Sequence, residues 1–77
     1  MEQGRPTGIT RQDTEGRERV EFEGQRAQIT RLIEYYGAGG TTHVLELHAI
    51  EGDPSSSLLL YGYFNRNDEF MEVYRER

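Results

Sequence analysis

Histidine and carboxylate side chains are the groups in this 77-residue chain that could support acid–base or metal chemistry. The two histidines, His43 and His48, are five positions apart, and an odd separation on a β-strand sends side chains to opposite faces. They therefore cannot bind one metal ion together within one chain. Glu46 and His48 share a face, but structural and catalytic metal sites usually need three or four protein ligands. The pair is more typical of a polar patch, and we expect no metal and no cofactor.

Composition excludes several kinds of catalysis. The chain contains no cysteine, and its nine basic residues are all arginine. A thiol nucleophile, a lysine Schiff base and a lysine-containing phosphate loop are therefore excluded. Carboxylates are numerous, but they alternate with apolar residues in the manner of exposed strand positions, and a general acid or base needs burial to tune its pKa. We expect a protein that is not an enzyme, with no catalytic residues and no small-molecule substrate.

Aromatic residues give the strongest indication of function. In the apolar run from Leu58 to Phe64, strand alternation places Leu59, Tyr61 and Tyr63 on one face. One face of this run must be core, and a second face with a leucine and two tyrosines is typical of a protein interface. The alternative is that both faces are internal. The predicted interface residues are Leu59, Tyr61, Tyr63, Tyr35, Tyr36, Arg31 and Arg66.

Charge helps to choose between two hypotheses of function. The first is a small protein-interaction module that self-associates, or that is a subunit or regulator of a larger assembly. The second is a single-stranded nucleic-acid-binding small barrel, in which exposed tyrosines stack on bases and arginines contact phosphates. The net charge of -5 disfavours nucleic acid and anionic membranes as partners, so we favour a protein partner or a homo-oligomer. The start of the sequence has no apolar run of signal-peptide length, which predicts a cytoplasmic protein.

The segments that must position these residues are predicted to be strands. Alternating or apolar runs indicate strands at 18–23, 41–50, 58–64 and 69–75, with turns or loops at 24–25, 51–56 and 65–68. Residues 37–40 are predicted to form a flexible connection. The segment 26–36 fits either a helix, from its apolar spacing, or a strand, from its β-branched and aromatic residues and its lack of a helix cap. We favour the strand.

These segments predict one small β domain at 18–77. Five antiparallel strands in a meander would curl into an SH3-like or OB-like barrel or an open sheet; a helix at 25–36 would instead give a β-α-β-β-β fold. Residues 1–17 are predicted to be a flexible N-terminal tail, since Ile9 is their only large apolar side chain after Met1. Order in that tail would point first to a partner chain that holds it.

Overall fold

The computed structural model describes residues 4–16, 19–49 and 57–76, and these form a curled antiparallel sheet with one short helix. Within them the sheet has six strands in the order β1-β6-β5-β4-β3-β2 and approaches a closed barrel, which confirms the predicted small β-barrel class. The elements are β1 (Arg5–Thr10), α1 (Arg11–Gly16), β2 (Arg19–Phe22), β3 (Gln25–Gly37), β4 (Gly40–Ala49), β5 (Ser57–Phe64) and β6 (Glu69–Glu76). The predicted loop at 51–56 lies outside the described residues.

The ambiguous segment is a strand, and the helical alternative is wrong. β3 pairs with β2 on one side and with β4 on the other, so both neighbours supply backbone hydrogen bonds to it. A register shift between Ile29 and Arg31 marks a β-bulge at Thr30. Because the bulge adds one residue, Ile33 and Tyr35 lie on the face opposite to Ile29, whereas strict alternation would put all three on one face.

Residues 5–16 were predicted to belong to a flexible tail, but in the structure they form β1 and α1. β1 pairs with β6 of the same chain, and the Thr7 hydroxyl donates a 2.7 Å hydrogen bond to the Phe70 carbonyl oxygen. Ile9 is fully buried in the core. Burial of Ile9 and backbone pairing with β6 give this segment its contacts within the chain. Residues 1–3 and 17 lie outside the described residues.

The connection between β3 and β4 is a tight hairpin loop, although the sequence predicted a flexible one. Gly37 pairs with Gly40, so Ala38 and Gly39 alone form the turn. Gly40 has a φ of 110°, a conformation that a residue with a side chain rarely adopts. The short loop fixes the register of the whole hairpin, and it therefore decides which side chains of β3 and β4 lie opposite each other.

The hydrophobic core lies on the inner face of the curled sheet. Phe70, Leu45 and Leu60 are fully buried there, and two polar side chains, His43 and Glu72, are also buried. The buried apolar cluster comprises Ile9, Phe22, Ala27, Ile29, Leu45, Leu47, Leu60 and Phe70. The opposite, outer face of the sheet carries most of the residues that the sequence predicted for an interface.

Candidate protein-interaction surface

The outer face of four adjacent strands, β3 to β6, carries three rows of side chains that lie in register across the sheet. We call these residues the outer strip. The first row is Arg31, Glu46, Leu59 and Glu76; the middle row is Ile33, Val44, Tyr61 and Tyr74; the third row is Tyr35 and Thr42 on one side with Tyr63 and Met71 on the other.

The middle row is apolar across all four strands. Tyr61 and Tyr74 are paired across β5 and β6, with ring centroids 5.6 Å apart and rings inclined at 56°. Val44 is 4% exposed, whereas Tyr74 is 58% exposed and Tyr35, in the adjacent row, is 53% exposed. The strip thus presents partly covered aromatic rings around a buried valine, which is an arrangement common in the centre of protein interfaces.

Charged groups lie at both ends of the first row. At the β3 end, Arg31 Nε is 3.8 Å from Glu46 Oε1, and the Thr30 hydroxyl donates a 2.9 Å hydrogen bond to the same oxygen. At the β6 end, the Tyr61 hydroxyl donates a 3.3 Å hydrogen bond to Glu76 Oε1. Burial and the nearby Glu76 carboxylate raise the pKa of Tyr61. The row therefore carries one cation, Arg31, and two carboxylates, Glu46 on β4 and Glu76 on β6.

The structure brings most of the predicted interface residues together. Leu59, Tyr61 and Tyr63 share the outer face of β5, and Tyr35 and Arg31 lie on the same face of β3. Two predicted residues lie elsewhere. Tyr36 is on the opposite face of the hairpin, where its hydroxyl donates a 2.6 Å hydrogen bond to Glu34 Oε1, and Arg66 is exposed in the turn between β5 and β6.

Sequence reasoning missed Ile33, Val44 and Tyr74 as members of this surface. Strict alternation along β6 would put Tyr74 on the same face as Phe70, which is in the core. A register shift opposite Tyr61 and Gly62 adds one residue to β6, so Tyr74 turns to the outer face while Phe70 stays buried. A single sequence carries no reliable signal for such a bulge. Val44 and Ile33 can be assigned to this surface only when the register of the β3–β4 hairpin is known.

A second polar cluster lies on the inner side, at the seam between the edge strands β1 and β2. Arg75 donates hydrogen bonds to the carboxylates of Glu23 and Glu72, which raise the pKa of its guanidinium. Arg5 Nη2 lies 3.9 Å from Glu72, and a cleft of about 200 Å³ opens beside these groups. Opposite charges satisfy each other here, so the cluster is suited to joining strands rather than to reacting with a substrate.

A third polar cluster surrounds His43 at the hairpin. His43 Nε2 lies 3.1 Å from Glu34 Oε2, and the imidazole packs edge-on against Phe64 with ring centroids 5.0 Å apart. Nδ1 of His43 is buried and has no hydrogen-bond partner among the described residues. A two-residue loop at Ala38 and Gly39 places Glu34 opposite His43, so this pairing follows once the loop length is known. Because His43 is only 7% exposed, its ring offers little access to a substrate.

The described residues contain no group of three or more side chains that could hold a metal ion. None of their helices is long and apolar enough to cross a membrane. Comparison of the chain with protein-family models, curated proteins and solved structures finds no match. Function therefore has to be inferred from the geometry and chemistry of the outer strip.

Proposed function

We propose that this protein is a non-enzymatic protein-interaction module that self-associates through the outer strip. The observation that carries the proposal is the continuous apolar middle row, on which Tyr74 is more than half exposed. Tyrosine combines a large apolar ring with a polar hydroxyl, so it tolerates water in the free protein and contributes apolar contact in a complex.

A second copy of the chain is the occupant that the charges favour. The whole chain has a net charge of -5, so two copies repel each other through most relative orientations. The outer strip carries charges of both signs, with Arg31 beside Glu46 on the β3 side and Glu76 on β6. Two strips can therefore meet with opposite charges facing each other, and the tyrosines then lose their contact with water.

The size of the strip sets the expected strength of self-association. Four strands and three rows would cover roughly 20 Å by 20 Å, or about 400 Å², if they were flat, but the strip curves around a nearly closed barrel, so one partner can contact only part of it. A pair of strips would therefore bury less than about 800 Å² in total, which is below the size of a standard stable interface. We therefore expect a weak, reversible dimer with a dissociation constant on the order of 100 µM.

The nucleic-acid alternative has less support from the geometry. Arg75 donates hydrogen bonds to the carboxylates of Glu23 and Glu72, so its charge is already neutralised within the chain. A paired arginine contributes less to phosphate neutralisation, which supplies most of the affinity for nucleic acid. The proposal also includes a cytoplasmic location, which rests on the sequence alone.

Sedimentation equilibrium over a concentration series tests this proposal. Between about 5 µM and about 1 mM we expect the mass to rise from that of the 8.9 kDa monomer toward twice that value. Tyr74→Ser should raise the dissociation constant about tenfold, because it removes an exposed ring from the middle row. Tyr36→Ser is the matched control, since Tyr36 is 78% exposed but lies outside the strip.

Two results would overturn the proposal. One is a wild-type protein that stays monomeric over the whole concentration range. The other is an equal loss of association in Tyr74→Ser and Tyr36→Ser, which would place the contact outside the outer strip. Thermal unfolding of both variants checks that neither substitution acts by unfolding the domain.

A further inference from the structure

Strand β3 is much longer than the strand on one of its two sides. β4 pairs with it as far as Gly37, whereas β2 pairs only with its first four residues, Gln25–Gln28. In the part of the chain that the structure describes, no other strand pairs on the β2 side of residues 29–37. On the far side of the hairpin, the last pair between β4 and β5 joins His43 to Gly62. The end of the β3–β4 hairpin therefore extends beyond both neighbouring strands.

The exposure of the hairpin end agrees with this arrangement. Every residue from Glu34 to Thr42 is exposed, and Tyr36 is 78% exposed. The helix α1 packs against β3, but among the described residues no backbone hydrogen bond joins the two, and the Arg11 N–H donates instead to the Asp68 carbonyl oxygen. Water is therefore what the backbone of this part of β3 meets on its outer side.

The register of the hairpin shows which backbone groups lie on that side. In a hairpin with a two-residue loop, the pair that flanks the loop exchanges hydrogen bonds, and so does every second pair after it. Gly37 and Tyr35 therefore direct their N–H and C=O groups toward β4. Glu34 and Tyr36 direct theirs away from β4, to the side where no described strand lies. We call residues 32–37 on this side the β3 edge.

The β3 edge has few of the features that protect a sheet edge from pairing. Natural edges are protected by proline, by lysine or other charges, or by a bulge. Residues 32–37 contain no proline and no basic residue, Glu34 is their one charged residue, and the bulge lies before them at Thr30. Ile33 and Tyr35 add apolar side chains on the outer face of the same segment. A strand with unpaired backbone groups and apolar neighbours is a template for a further strand.

We propose that the β3 edge binds an extended segment of a partner protein as an additional β-strand, with the backbone groups of Glu34 and Tyr36 forming the hydrogen bonds. This contact is separate from self-association through the outer strip. Strand addition of this kind takes its affinity from the backbone and its specificity from alternate side chains. Beside Ile33 and Tyr35 the segment would place β-branched or aromatic residues, which are favourable cross-strand neighbours.

Charge determines which segments suit the opposite face. The Glu34 carboxylate accepts a hydrogen bond from the Tyr36 hydroxyl and lies 3.1 Å from His43 Nε2, and Arg11 also acts on its charge. Because these groups already satisfy Glu34, the segment needs no cation at one fixed position. The net charge of -5 still attracts a basic segment and repels an acidic one over longer distances.

A second copy of the chain is less suited to this edge. In the antiparallel registers that use the backbone of both Glu34 and Tyr36, the two Glu34 side chains lie on one face, either directly opposite each other or at a diagonal distance of about 8 Å. Like charges at these positions are unfavourable, and each copy also carries a net charge of -5. The charges therefore favour a basic or neutral segment from another protein.

A model peptide tests the proposal on the full chain. The probe is the blocked heptapeptide acetyl-Arg-Val-Thr-Val-Thr-Val-Arg-amide, for which we expect a dissociation constant on the order of 1 mM by NMR titration. Near saturation, hydrogen exchange of the Glu34 and Tyr36 amides should slow about tenfold. The Tyr35 amide, which bonds to β4, should exchange slowly with and without peptide. The same peptide with proline at its centre is the control probe and should bind at least tenfold more weakly.

Two substitutions at one position separate the backbone from the side chain. Tyr36→Pro removes an N–H that does not bond to β4, so the hairpin should persist while peptide binding weakens at least tenfold. Tyr36→Ser keeps the N–H and is the matched control, with an affinity for the peptide within about threefold of the wild type. Tyr74→Ser changes the outer strip alone and should leave the affinity for the peptide unchanged.

The outcomes separate this inference from the proposed self-association. Equal peptide binding by Tyr36→Pro and Tyr36→Ser, or slowed exchange that does not include Glu34 and Tyr36, overturns the strand addition. If the peptide does not bind and Tyr36→Pro instead weakens self-association, the edge pairs with a second copy and the proposed occupant is wrong. If Tyr36→Pro fails to fold, the exchange pattern of the wild-type protein decides. A wild-type protein that stays monomeric but binds the peptide overturns self-association alone.

Discussion

Arg75 and Glu23 lie 52 positions apart in the chain and are joined by two hydrogen bonds of 2.8 and 2.9 Å. The same guanidinium donates hydrogen bonds of 2.6 and 2.8 Å to the buried carboxylate of Glu72. Glu23 follows the edge strand β2, whereas β6 lies beside the other edge strand, β1. The contact therefore bridges the seam at which the sheet is not closed by backbone hydrogen bonds.

The first prediction concerns this bridge. Arg75→Ala should lower the free energy of unfolding by about 3 kcal/mol, because it removes both hydrogen bonds from the guanidinium to the buried Glu72 carboxylate and leaves only the 3.9 Å contact with Arg5. Glu23→Gln is the control, since Glu23 is 59% exposed and its contribution should be below about 1 kcal/mol. Urea denaturation measures both values, and equal losses would show that the bridge does not depend on burial of Glu72.

The second prediction concerns the N-terminal strand. Ile9→Ala should lower the free energy of unfolding by about 3 kcal/mol, since Ile9 is fully buried in the core. Gln12→Ala, at an exposed position of α1, should change it by less than about 0.5 kcal/mol. If chemical denaturation gave the same small change for both variants, β1 would not be an integral part of the domain.

The third prediction concerns the close approach of β5 and β6. A Cβ atom added at Gly62 would overlap the carbonyl oxygen of Met71 and come within 2.9 Å of its carbonyl carbon. Gly62→Ala should therefore cost about 3 kcal/mol or more, because two backbones must separate. Gly37→Ala adds the same methyl group where no atom lies within 4 Å, so its thermal midpoint should stay close to that of the wild type. Comparable midpoints for the two variants would contradict this packing.

The fourth prediction concerns pH. The Tyr36 hydroxyl lowers the pKa of Glu34 below its ordinary value of 4.5 by donating a hydrogen bond, and His43 lowers it further. A carboxylate with a lower pKa in the folded state stabilises the fold above pH 4.5, and that contribution disappears as the pH falls through the folded-state pKa. Glu34→Gln should therefore lose less stability than the wild type on acidification below about pH 4.5.

Urea midpoints measured between about pH 6 and about pH 3 would show this difference. Tyr36→Phe is the companion variant, because it removes the hydrogen-bond donor and keeps the carboxylate. It should also flatten the pH dependence, though by less than Glu34→Gln, since His43 is retained. If the urea midpoint of both variants changed with pH as it does in the wild type, the Tyr36–Glu34 hydrogen bond would not persist in solution.

The strands on the C-terminal side could be predicted from the sequence because the features that indicate them lie within a few neighbouring residues. Leu58 to Phe64 is apolar, aromatic and bounded by turn residues, and these features depend only on neighbouring positions. The same locality explains why Leu59, Tyr61 and Tyr63 were placed correctly on one face. The N-terminal strand was missed because its own composition is that of a tail. Pairing with β6, between 59 and 67 positions later, is what orders it.

The sequence by itself determined that the chain is a small, mainly β protein without thiol or lysine chemistry, because composition and two-residue alternation need no tertiary contacts. Tertiary structure decided which side chains meet. The bulges near Thr30 and Val73 reverse the faces of everything beyond them, and they bring Ile33 and Tyr74 to the outer strip. A bulge depends on how neighbouring strands pair, and a bridge such as that between Arg75 and Glu23 depends on how the sheet closes. Both are properties of long-range pairing, which a local pattern does not contain.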